Sequence, residues 1–211
     1  EVVTNGSFVI DASAQLNNQS SMMNRSLLSD NTSALPDFTN TTPIKFKDQL
    51  NDILSNYLSL KNSLVNDDAI TSVTNAELMK TSIEKAEMDL LTVDAHMIWM
   101  QQSESLTTLA KEIALEKSIK EQRKTFLELS SVIIDLTKIY GVNDQTYYVQ
   151  FCPMAFEDGG FWLSSESKIL NPYFGKQMLD CGSMEVKIDK DFKNKKVVTP
   201  INNSPMSGHN H

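Results

Sequence analysis

The chain has 211 residues, 40% hydrophobic and 22% charged, with a formal net charge of −8 at neutral pH. That composition suits one substantial domain with a tail, or two small domains, and not a disordered chain. The acidic balance argues against nucleic acid as a partner, which would need a basic face, and no apolar run approaches the ~20 residues that span a bilayer.

Residues 1–42 differ in texture from the rest. "VVTNGSFVIDASAQL" is strand-like around a turn at Asn5-Gly6, and the Asn/Ser/Thr-rich stretch after it reads as linker, with too little apolar area to offset the entropy of ordering. No charged segment followed by an apolar run opens the chain, and residue 1 is Glu, which reads as a processed protein or a fragment.

The spacing predicts a helical bundle over 43–141. Thr42 is the expected N-cap of the first helix, with Pro43 at its first position. Phe46, Leu50, Ile53, Leu54, Tyr57, Leu60 and Leu64 then recur at helical spacing on one face. "NDDA" at 66–69 interrupts them, and Asp67 or Asp68 is placed to cap a second helix whose stripe is Ala69, Val73, Ala76, Ile83, Ala86 and Leu90. A third helix is expected from Ala95 to Leu115. A fourth, from Lys117 to Tyr140, turns Ile119, Phe126, Leu127, Ser130, Ile133, Ile134 and Tyr140 inward, with Gly141 ending it and Lys138 complementing the dipole. The fold class expected is mainly α: an antiparallel four-helix bundle followed by an irregular Cys/Met-containing segment with short strands.

That segment is 142–190. "TYYVQFC" and Met184–Ile188 have strand character, and turn signals fall at Cys152-Pro153, Gly159-Gly160 and Asn171-Pro172. Residues 191–211 read as a fraying tail, in which His209 and His211 form at most an adventitious metal site.

The chemistry concentrates on two cysteines, Cys152 and Cys181, which the intervening turns allow to meet. Met154 follows one, and Met178 and Met184 flank the other. Thiolate and thioether are soft donors that select Cu(I) and its relatives over hard cations. In "AHMIWM", His96 and Met100 share a helix face, and His96 is the candidate imidazole ligand. The rival reading is a disulfide closing a ~30-residue loop, worth roughly 3–4 kcal/mol. The residues alone leave metal ligation and a disulfide equally open. Methionines taken singly are more often core filler than ligands. No nucleophile–base or acid–base pair is specified by spacing, and no C-x-x-C is present, so an enzyme is not expected.

"YLSLKNSLVNDD", "IKEQRKTFLELSSVI", "CPMAF…WLS" and "NPYFGKQMLDCG" together resemble a helical domain of unassigned function found in Gram-negative bacteria. It occurs alone in exported proteins and at the C-terminus of periplasmic adaptor (membrane fusion) subunits of heavy-metal RND efflux systems. The N-terminal "VVTNGSFVIDASAQL" resembles the exit of the membrane-proximal domain of such adaptors, so the chain reads as the C-terminal piece of one. The resemblance implies a periplasmic setting, Cu(I) or Ag(I) as the ion with zinc as a further possibility, and an efflux pump component or metallochaperone as partner. Carried over by position, Cys152 and Met154 match a C-P-M motif, Cys181 an M-L-x-C-G motif, and His96 with Trp99 an H-x-x-W element. Ala155-Phe156 stand where short metal-binding domains of these systems continue with His-Pro, which removes a familiar ligand. The expected metal site is therefore His96, Cys152, Met154 and Cys181, shielded by Trp99, Phe156 and Trp162. The alternative is an interaction module stapled by a Cys152–Cys181 disulfide.

Overall fold

A computed structural model describes residues 35–193. The strand-like run and most of the linker expected in 1–42 lie outside those residues, as does the tail from 194 with His209 and His211.

Four helices come first: α1 (Ile44–Val65), α2 (Ala69–Glu84), α3 (Val93–Leu115) and α4 (Ile119–Tyr140). Three strands follow: β1 (Tyr147–Cys152), β2 (Gly160–Ser164) and β3 (Ser183–Ile188). Side-chain pairs fix the directions of the helices. Asn56 and Ser63 of α1 bond to Ser82 and Asn75 of α2, so these two helices run oppositely. Tyr140, at the end of α4, packs on Phe46 at the start of α1 and donates to the carbonyl of Ala95 at the start of α3. At the other end of α4, Phe126 stacks on Tyr57. The result is an up-and-down bundle, as the short connections require.

The apolar stripe read from α1 is buried along its whole length. Asp67 takes a positive φ of 61°, and Asp68 accepts the Thr71 amide at 2.9 Å, capping α2 as its position suggests. Elsewhere the structure corrects the expected boundaries. Pro43, not Thr42, stands at the N-cap of α1, and the Thr42 hydroxyl donates backward to the carbonyl of Phe38. Ala86 and Leu90 fall beyond α2, in and before a short 3-10 turn at Met88–Leu90. In α4 the buried leucines are Leu129 and Leu136, while Leu127 is only half-buried. Residues 35–42 are not linker: the Phe38 amide donates to the Ile139 carbonyl and its ring lies against Tyr140.

The expected irregular segment holds an antiparallel sheet in the order β2-β1-β3, with an irregularity between Val149 and Gln150 on the β3 side. β2, "GFWLS", is a strand the sequence reading did not foresee. It seats the sheet on the bundle, where the buried Leu163 amide donates to Tyr57 Oη and the Tyr57 hydroxyl pairs with Ser130. No helix among the described residues is long and apolar enough to cross a membrane.

Candidate functional site

β1 ends at Cys152, and the chain returns to its side through the loop that precedes β3. The two sulfurs lie 3.2 Å apart, with Cys152 buried and Cys181 half-buried. Gly182 makes the approach possible: its φ is +144°, and a Cβ there would fall 2.7 Å from the Phe151 carbonyl and 3.0 Å from the Trp162 ring.

Asn171 holds Cys181 in place. Fully buried, it donates from Nδ2 to the Cys181 carbonyl at 2.8 Å, and its Oδ1 accepts from the amides of Tyr173 and Phe174. Its own amide donates to the Leu179 carbonyl, closing the loop. Arg123 then ties this loop to the bundle, donating to the carbonyls of Pro172 and Leu64 and to Asp67. Burial works against the Asp67 charge, but the hydrogen bond from Arg123 and the contacts to Lys176 hold its carboxyl below the usual range.

The floor of the site is aromatic. Trp162 is 0% exposed and stands edge-on to Tyr173, which also lies against Phe126 and bonds the Phe161 carbonyl. Phe156 packs edge-on to Tyr173 from outside. The Trp162 indole nitrogen and Gln150 Oε1, on residues opposite each other in the β1–β2 ladder, are buried polar atoms without a hydrogen-bond partner among the described residues.

The hydrogen bond to Cys152, followed by burial, raises the Cys181 pKa above its ordinary value. Among the described residues, no cationic group lowers it.

Of the four site residues expected, the structure brings together Cys152 and Cys181. Met154 lies two residues beyond Cys152 and is 61% exposed, on the rim. Met178 and Met184 are exposed as well, the former giving its carbonyl to the Cys181 amide. His96 does not join them. It follows Ala95 beside Tyr140 at the far end of α4, whereas Cys152 lies by Gly160 and Tyr173 near Phe126. About 20 Å of helix separates the two ends. Trp99 sits with His96, packed on Phe46 and Tyr140, so it shields nothing at the thiols. Adjacent spacing within α3 gave His96 its company in the sequence, but the position of β1 along α4 decides which end of the bundle the thiols meet. No group of three His, Cys, Asp or Glu suited to a metal occurs among the described residues.

Sequence reading passed over Asn171 and Arg123 as positioning residues. The Asn-Pro turn signal at 171–172 was visible, but the side-chain bonds of Asn171 depend on where the loop folds.

No curated protein and no solved structure matches the chain. A family model described as a protein of unknown function (DUF3347) matches residues 53–145, so across most of its helical part the chain is similar to that family.

Proposed function

We propose that the chain is a non-enzymatic metal-handling domain in which Cys152 and Cys181 hold one soft monovalent ion, Cu(I) or Ag(I). The observation that carries this reading is the 3.2 Å approach of two sulfurs, one buried and one partly open. Two thiolates alone satisfy a low-coordinate d10 ion. Bridging it requires them to part to roughly 4–5 Å, twice a metal–sulfur bond of ~2.3 Å, a displacement of the loop around Cys181 and not of the sheet. Met154, on the rim, supplies an uncharged thioether that tunes affinity. A tetrahedral zinc site fits less well, because structural zinc asks for four ligands. By the resemblance in its motifs, the domain works in the periplasm and passes its ion to an efflux pump component or a metallochaperone.

Alkylation tests this directly. Reduced protein is treated with iodoacetamide with and without one equivalent of Ag(I), and each thiol is followed by mass. Protection of both cysteines by a single equivalent is the expected result. Unchanged labelling of both would contradict it.

The same 3.2 Å separation favours a second reading, a disulfide that staples the loop onto β1 so that the bundle serves as an interaction module. Closing it needs the sulfurs to approach to about 2.05 Å. Intact mass of protein isolated without reductant distinguishes the two, since the bridge removes about two mass units.

A further inference from the structure

The end of the bundle opposite the thiols carries a separate set of soft donors. His96 stands in the first turn of α3, and its Nδ1 lies 3.2 Å from the carbonyl oxygen of Met88. A carbonyl only accepts, so the ring proton belongs on Nδ1, and Nε2 keeps its lone pair. Metal-ligating imidazoles are held in this way, with the far nitrogen donating to a backbone carbonyl. One turn on, Met100 stands over the same helix face, its Cβ about 5–6 Å from that of His96. Met88 and Met100 are 40% and 53% exposed, although methionine is ordinarily an interior residue. Met88 also lines the groove between α2 and α3 together with Trp99, Ser103, Glu84 and Glu104. Trp99 and Ser103 fall within about 60° of His96 around the helix, so His96 and Met100, which do not themselves line the groove, lie on the side of α3 that it follows.

We propose that His96 Nε2 and the thioether sulfurs of Met88 and Met100 form a second site for a soft monovalent cation, distinct from the dithiol. One imidazole and two thioethers are neutral and soft, a set that takes Cu(I) or Ag(I) and leaves Mg²⁺ and Ca²⁺ in water. Glu84 and Glu104 in the groove favour the approach of a cation without having to ligate it. Binding here releases no thiol proton. The site is therefore suited to acquiring or relinquishing an ion, whereas two thiolates retain one.

The test uses the full chain carrying Cys152→Ser and Cys181→Ser, titrated with Ag(I), which is inert to redox, and followed by methionine methyl NMR. Saturation at one equivalent is expected, with shifts at Met88 and Met100. Met97 is turned about 100° from His96 on the same helix, and its methyl should stay in place. His96→Ala should weaken binding at least tenfold, as should the nearly isosteric Met100→Leu, while Met97→Leu leaves it unchanged. Silent Met88 and Met100 methyls, shifts confined to Met206 beside the tail histidines, or full affinity in His96→Ala would each overturn the proposal. Because the thiols are absent from this protein, failure here leaves the dithiol reading standing, and failure of the alkylation test leaves this site standing.

Discussion

Asn171 satisfies three backbone groups from one fully buried side chain: the carbonyl of Cys181 and the amides of Tyr173 and Phe174. Each buried group left without a partner costs roughly 1–3 kcal/mol. Asn171→Ala is expected to cost about 2–4 kcal/mol in urea unfolding and to weaken Ag(I) binding even where the helical signal is unchanged. Retained affinity in that variant would remove Asn171 from the site. Asp135 offers a test of a different kind. Burial raises its pKa to about 6, against an opposing pull from Lys138, and its Oδ1 is buried without a hydrogen-bond partner among the described residues. A carboxyl whose pKa is higher folded than unfolded contributes stability below the unfolded value and loses it as pH rises through the folded one. The parent should thus lose up to about 3 kcal/mol between pH 4 and 6, and Asp135→Asn should flatten that slope. Parallel pH profiles for the two proteins would contradict the assignment.

Among the elements, the loop between β2 and β3 depends on a latch built from three places in the chain. Arg123 from α4, Asp67 from the α1–α2 turn and the backbone at 172–176 converge there, and Gly175 has a φ of +56° with Asp67 and Arg123 close over it. A Cβ at Gly175 would meet both side chains and strain the backbone. Gly175→Ala should lower stability by at least about 1 kcal/mol and increase the alkylation rate of Cys181, while Gly141→Ala, distant from the loop, should leave that rate unchanged. The elements also show what a sequence conveys. α1 and α4 were legible because a 3.6-residue apolar period reports directly which face is buried. β2 was not, because Phe161, Trp162 and Leu163 form a short apolar run, Trp162 and Leu163 fully buried, without the alternation that marks a half-exposed strand. The meeting of the two cysteines was legible from turns alone. The exclusion of His96 was not, because it depends on which end of α4 the sheet covers.

At the scale of the whole molecule, the described residues form a helical bundle and a three-stranded sheet, with the paired cysteines toward one end of α4 and His96 by the other. Tyr57 ties the sheet to the bundle, stacking on Phe126, pairing with Ser130 and accepting the amide of Leu163. Any ion that binds the folded dithiol and not the unfolded chain raises the unfolding temperature by mass action. Most of that rise should be lost in Cys152→Ser, leaving only what the weaker His96 site contributes. The central claim is that the two sulfurs together hold one soft ion, and its most direct test is an anaerobic Cu(I) titration of the reduced protein against a competing chromophoric chelator. The parent is expected to withdraw one equivalent tightly, and the Cys152→Ser, Cys181→Ser variant to retain only a weaker site. Equal competition by the two proteins would contradict the claim.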